Sequence, residues 1–350
     1  MNRNIIFLEW NDYWVIDGFE IIRGDRGVNS YQNRPSTHIV LRNLKIHDIG
    51  FSGIYSGILD HDWTVDRNLI YDIWGDSSWD ANNTCVHEHG WYANGYNLTL
   101  TNTVMHTSEG GTIITVGGFC EADGSQADPP EFSHTLWMIN NTIDGDGCVV
   151  SYTEPGGDKR YNTMDFYNRT LHSGNYCATQ SGFPNAIPRN FKNVLIANNL
   201  FLRGQTGTWT NGESAQSVGY QNAEGIVTPP SCLDNPWQSA SCESTAKGTA
   251  GYLRFDNNVS QDNYVQNPTH QGYTDEYSSN CDQCGGIALE DQTSHDYRPT
   301  ASSTALIGKG TSTNAPQVDF FGNARASGAI DIGAIQFSDP GPRPNPPTFD

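Results

Sequence analysis

Positive charge is what this chain has least of. Only 19 Lys and Arg oppose 39 Asp and Glu in 350 residues, a formal net charge of −20. Such a surface repels phosphate backbones, so nucleic acid is not an expected partner. Long apolar runs are also missing. No stretch approaches the roughly 18 residues of a membrane-spanning helix, so no membrane partner is expected. Hydrophobic residues make up just 36% of the chain, yet 9 Trp, 16 Tyr and 14 Phe weigh against disorder. With 36 Gly and 17 Pro, the composition excludes a helical protein, and their lack of a period excludes collagen. Met1-Asn2-Arg3 leads straight into Ile5-Ile6-Phe7-Leu8, with neither the apolar core nor the cleavage site of a signal peptide. The expectation is that a leader, or even a first turn of the fold, precedes this sequence.

Eight cysteines (Cys85, Cys120, Cys148, Cys177, Cys232, Cys242, Cys281 and Cys284) fit disulfides and a secreted protein. Cys232–Cys242 and Cys281–Cys284 are the expected pairs, because each closes a short loop. The competing reading of Cys281-Asp282-Gln283-Cys284 is half a zinc site, but no second pair with ligand spacing accompanies it.

An internal repeat carries the fold. Trp14–Ile21, Ile39–Ile46, Thr64–Tyr71, Leu98–Met105, Trp137–Ile143, Val194–Phe201 and Leu253–Val259 each read as a short strand, an Asn (Gly in the first) and a second short strand. The anchors fall at 18, 43, 68, 102, 141, 199 and 258, spaced by 25, 25, 34, 39, 58 and 59 residues. A unit near 25 residues with growing insertions describes stacked coils with loops extruded from some turns. Alternation within the strands gives one inward face of Val, Ile, Leu and Phe. An Asn at the corner adopts the left-handed conformation cheaply, and its amide can bond the equivalent Asn of adjacent coils. The predicted fold is all-β, a right-handed parallel β-helix with long loop insertions and a C-terminal closing segment. One domain spans 1–338, with coils over about 5–265 and C-terminal coils or a cap over 266–338. Residues 339–350, with five prolines, form a tail or linker.

Gly53-Ile54-Tyr55-Ser56-Gly57 and the run from His89-Gly90-Trp91-Tyr92 to Asn102 resemble the repeats of pectate-lyase-like β-helix proteins. Asp319–Arg325 and Ile330–Gln336 resemble the closing segment of secreted bacterial β-helix proteins, which is expected to cover the open end of the solenoid. The resemblance places a ligand groove along the Gly-Ile-Tyr strands. If Ile54 and Trp91 point inward, Tyr55, Tyr92 and Asn94 point out, and Asn29 and Tyr31 of the preceding coil share that register. Such a ladder suits a sugar chain, with rings on C–H faces and amides on hydroxyls.

His87-Glu88-His89, just before the Tyr92 strand, is the densest titratable group there. Glu109 occupies the matching turn one coil later. His87, His89, Tyr92, Glu88 and Glu109 are therefore the candidate catalytic residues. Asp60-His61-Asp62 resembles, without its Pro, the Asp-Pro-His-Asp signature of β-helix alginate epimerases. Asp60 and Asp62 are candidate ligands for Ca²⁺, the one cofactor considered. Lys159 and Arg160 stand out in a chain with five Lys and would neutralise a substrate carboxylate.

The resemblance implies a monomeric extracellular polysaccharide lyase that cleaves a uronic-acid polysaccharide by β-elimination. The first alternative is a glycoside hydrolase using carboxylates such as Glu88, Glu109, Asp60, Asp146 or Glu154 on neighbouring coils. The second is a non-catalytic glycan-binding β-helix.

Overall fold

A computed structural model describes residues 4–30, 34–57, 60–73, 89–106, 112–117, 134, 136–145, 162–167, 194–202, 218–221, 253–261, 276–281 and 283–338. Every regular element among them is a strand. Each sequence repeat supplies up to three. The first position is taken by β2 (Val15–Asp17), β4 (Thr37–Arg42), β6 (His61–Asp66), β9 (Leu98–Thr101), β12 (Leu136–Ile139), β15 (Val194–Ala197), β18 (Leu253–Asp256) and β20 (Glu276–Ser278). These pair in that order as an 8-stranded parallel sheet.

The second position holds the first halves of β3 (Glu20–Ser30) and β5 (Lys45–Tyr55), then β7 (Leu69–Ile70), β10 (Val104–His106), β13 (Thr142–Asp144), β16 (Leu200–Leu202) and β19 (Val259–Ser260). The third holds β1 (Asn4–Leu8), the second halves of β3 and β5, β8 (His89–Ala93), β11 (Thr112–Gly117), β14 (Asn162–Tyr167) and β17 (Val218–Gln221). Because β3 and β5 run through the bend, the second and third positions join as one 12-stranded sheet. The result is all-β with long parallel sheets, compatible with a parallel β-helix.

Stacking fills the interior with columns of like residues. Ile16, Leu41, Val65, Leu100, Met138, Ile196 and Phe255 lie in register at the first position. Ile21, Ile46, Ile70, Met105, Ile143 and Phe201 do so at the second, and Val28, Ile54, Trp91 and Ile114 at the third. All are buried in one core cluster. Each such side chain contributes about 1.5–3 kcal/mol, and none is buried by its own rung alone. The indoles in this core are satisfied: Trp63 Nε1 donates to the Ser36 carbonyl and Trp91 Nε1 to Ser56 Oγ.

The corner between first and second strands divides between two residues the work expected of one Asn. Gly18, Asn43, Arg67, Asn102, Asn140, Asn198 and Asn257 carry the left-handed backbone, with φ between 47° and 75°. The amide ladder is formed one residue later. Asn141 N–H and Nδ2 both donate to Asn199 Oδ1, and the same groups of Asn199 donate to Asn258 Oδ1. Asn280 Oδ1 accepts the corresponding pair from Asn258. Consecutive residues face opposite ways, so a side chain on the left-handed residue turns outward while the next turns in.

The outward column Leu69, Val104, Thr142, Leu200 and Val259 is apolar but for Thr142, whose Oγ1 accepts the Ala334 N–H, and residues 297–335 cover it with Tyr297, Leu306, Ile332, Ala334 and Ile335. Asp319–Arg325 and Ile330–Gln336, expected over the open end, thus lie against the flank, while Cys281, Cys284 and Gln292 bond the last described rung at Asn258, Ser260 and Gln261. The described contacts of the C-terminal segment run along the flank, from Arg325 Nη2 on Asn102 Oδ1 to Asn140 on the Asp331 and Gly333 carbonyls, Asn198 on that of Thr311 and Asn257 on that of Lys309. The physical reason is that β7 and β16 are apolar on both faces, as is β10 at Val104 and Met105, and need a cover that solvent cannot give. Cys281 and Cys284 form a disulfide beside this cluster, with Cα atoms 5.4 Å apart. Cys232 and Cys242 lie outside the described residues.

Candidate functional site

The third strand position bends around a stack of glycines. A Cβ on Gly27 would lie 2.5 Å from the Gly53 carbonyl oxygen, and one on Gly53 would lie 2.8 Å from that of Gly90. These contacts explain the Gly that opens each Gly-x-Tyr or Gly-x-Asn segment. On either side of the stack stands a polar column. Arg26, Ser52 and His89 are in register, as are Asn29, Tyr55 and Tyr92.

Ring contacts join the two columns. Tyr55 and Tyr92 stack with centroids 5.2 Å apart and planes 12° from parallel. The Arg26 guanidinium sits 4.8 Å above the Tyr55 ring and 4.6 Å above Phe51. His89 meets Tyr92 from the other column, centroid to centroid 5.1 Å. A cation, two phenols and an imidazole thus share one face across three rungs. Tyr92 is half-buried, whereas Tyr55, His89 and Asn29 are buried. Among the described residues, Asn29 Oδ1 and Ser52 Oγ are buried without a hydrogen-bond partner, an arrangement that costs about 1–3 kcal/mol per group.

Of the residues named from sequence, Asn29, Tyr55, Tyr92 and His89 come together here. Asn94 does not point outward as expected. It is fully buried at the end of β8, where its N–H donates to Ser56 Oγ and its Nδ2 to the Ser56 carbonyl. The strand has ended by then, so alternation no longer sets its direction. Tyr31, His87, Glu88, Glu109, Asp146, Glu154, Lys159 and Arg160 lie outside the described residues. Arg26 was missed. A register shift between Gly24 and Arg26 breaks the alternation that would have pointed to it.

Asp60 and Asp62 do not form a joint oxygen site. Asp60 is fully buried and accepts from Ser30 Oγ, the Ser36 N–H and the Gly57 N–H, which fastens one turn to its neighbour. Its oxygens are therefore committed, and the residues do not fit Ca²⁺. Burial pushes the Asp60 carboxyl up from 3.8 to about 7, against the lowering effect of those three donors. The Ser30 hydroxyl can reverse and accept its proton.

A measurable pH dependence results. Below about pH 4 the folded and unfolded chains both hold the proton and Asp60's contribution is complete. Between about 4 and 7 only the folded chain holds it, so stability falls as pH rises, at up to about 1.4 kcal/mol per pH unit. Asp60→Asn is expected to be less stable overall and to lose this slope in urea unfolding. An unchanged slope would remove the assignment.

Asp62 belongs to a different group, with His38 and His61, on the outer face of the first sheet. Two rungs beyond Asp62, burial lowers His134 to about 4, which keeps its imidazole neutral at pH 7.

The sequence matches no family model and no curated protein. The site's chemistry alone therefore carries the functional argument.

Proposed function

We propose that this is an exported right-handed parallel β-helix protein of the pectate-lyase-like type, and that it cleaves a uronate-bearing polysaccharide by β-elimination. The observation that carries this reading is the Arg26–Tyr55–Tyr92–His89 face: a cation, a stacking surface and a proton-transfer group adjoin in a protein poor in positive charge.

In this reading Arg26 pairs with the uronate carboxylate and stabilises the enolate-like charge that forms when C5 loses its proton. Tyr92, the half-exposed member, acts as its phenolate and takes the C5 proton. The electron pair forms the C4–C5 double bond, the C4–O bond breaks, and Tyr92 returns the proton to the leaving oxygen. His89, packed against the Tyr92 ring, fixes that ring's position. Tyr55, held between the Arg26 guanidinium and the Tyr92 ring, keeps these two groups in place. Arg26 also answers the repulsion that a chain of net charge −20 exerts on a polyanion.

The test is incubation with pectate, alginate, a glycosaminoglycan and a neutral glucan, followed through the ultraviolet absorbance of the new double bond and through reducing ends. Unsaturated product from an acidic glycan is expected. Tyr92→Phe is expected to lower kcat by about 100-fold or more without moving the unfolding midpoint, and Arg26→Gln to raise KM and lower kcat together. Reducing ends without absorbance would replace the lyase by a hydrolase. No product from any glycan would leave a binding surface only.

A further inference from the structure

The first sheet carries a second cluster, on an outer face away from the tyrosine column. Thr37 pairs with His61 and Ile39 with Trp63, so His38 lies beside Asp62 on the next rung. One ligand atom from each of His38, His61 and Asp62 falls within 4.8 Å of the others. Asp62 Oδ2 is the meeting point, 2.6 Å from His61 Nδ1 and 3.7 Å from His38 Nε2.

The surroundings aim these atoms. Thr37 Oγ1 donates to Asp12 Oδ1 at 2.7 Å, so its oxygen is left to accept from His38 Nδ1 at 3.0 Å. In the neutral imidazole that chain places the His38 proton on Nδ1 and leaves the Nε2 lone pair facing the Asp62 carboxylate. Two acceptors then face one another, an arrangement that a cation between them relieves. Asn97 Nδ2 donates to Asp62 Oδ1 at 3.2 Å and turns Oδ2 toward both imidazoles. Tyr13 stacks on His38 at 4.3 Å and Tyr96 on His61 at 4.9 Å, which holds the rings from both sides. The side chains are 42%, 22% and 32% exposed for His38, His61 and Asp62, so an ion can enter from solvent.

We propose that His38, His61 and Asp62 form a binding site for a first-row divalent metal, Zn²⁺ in the first instance, with an open position for water. Two imidazoles and one carboxylate are a donor set that suits Zn²⁺ and disfavours Ca²⁺, which takes six to eight oxygens. Outer partners that fix the ligand tautomer are what such sites require, and the Asp12–Thr37–His38 chain supplies one. On binding, His61 moves its Nδ1 proton to Nε2 and offers Nδ1, so no net change in its charge is needed. The inference does not rest on the lyase reading.

Calorimetric titration of the full chain with Zn²⁺ tests it, with Co²⁺ absorption in the visible as a second readout of nitrogen ligation. Asp62→Asn and His38→Asn keep a residue tolerant of the left-handed backbone found at both positions, φ 57° and 55°. Each is expected to lower affinity by at least about tenfold while the unfolding midpoint without metal stays near that of the wild type. Thr37→Val, which leaves all three ligands in place, is expected to weaken binding by about tenfold. Absence of Zn²⁺ binding, wild-type affinity in the two ligand variants, or displacement of Zn²⁺ by an equal concentration of Ca²⁺ would each overturn the site.

Discussion

Gly95→Ala is expected to destabilise the protein by about 3–5 kcal/mol, from two effects that add at one atom. Gly95 has φ +99°, beyond the left-handed well that Asn or Asp enters, so any Cβ there carries backbone strain. That Cβ would also lie 2.1 Å from the Asp60 carbonyl oxygen and 3.1 Å from that of Gly57, both backbone atoms of the neighbouring rung. Neither can turn aside as a side chain would, so the two rungs must part. The same Asp60 carbonyl accepts the Tyr96 N–H at 3.2 Å, and parting would lengthen that bond too. Gly18→Ala separates the two causes. Gly18 has φ +75°, but a Cβ there meets nothing within 4 Å, so a cost of only about 1 kcal/mol is expected. Urea unfolding of both variants measures the difference. Equal midpoints would show that the close approach at Gly95 carries no weight.

Much of the fold was legible because a stack repeats its demands. The segments read from the Asn spacing contain β2, β9, β15 and β18 and overlap β4, β6 and β12, and the inward residues of Gly53-Ile54-Tyr55 and Gly90-Trp91-Tyr92 are Ile54 and Trp91. The corner was read one residue too coarsely. Asn43 and Asn102 are the left-handed residues, whereas Asn68, Asn141, Asn199 and Asn258 are their inward successors. An Asn-Asn pair satisfies either alignment, so the sequence does not say which member bends and which bonds. The repeat nevertheless held one unread signal. His38 and Asp62 lie 24 residues apart, one coil, and residues at that spacing become neighbours. Local clusters such as Asp60-His61-Asp62 drew notice instead, although Asp60 and Asp62 serve different partners. Arg26 stayed hidden because a bulge, unlike an alternating strand, leaves no period to count.

Asn199→Asp is expected to cost about 3–5 kcal/mol at neutral pH, although it changes almost no volume. Asn199 is fully buried. Its Oδ1 accepts from the Asn141 N–H and Nδ2, an arrangement that a carboxylate keeps. Its Nδ2 donates to the Met138 carbonyl at 2.8 Å and to Asn258 Oδ1 at 3.0 Å. A carboxylate would bring a second acceptor against those two, without water to screen them. The new carboxyl therefore holds its proton in the folded chain, where it can donate to one of the two oxygens, and gives it up in the unfolded chain near the ordinary Asp range. Stability lost at neutral pH is recovered in part as pH falls, the sign opposite to that of a salt-bridged Asp. Asn257→Asp is the control, because Asn257 sits at the outer edge of the same corner, in an exposed hydrogen bond to the Lys309 carbonyl. A loss well under that of Asn199→Asp, with no acid recovery, is expected there. Similar losses in the two variants would mean that the inward ladder adds nothing beyond what any corner amide supplies, and the rungs would then owe their alignment to apolar columns and strand pairing alone.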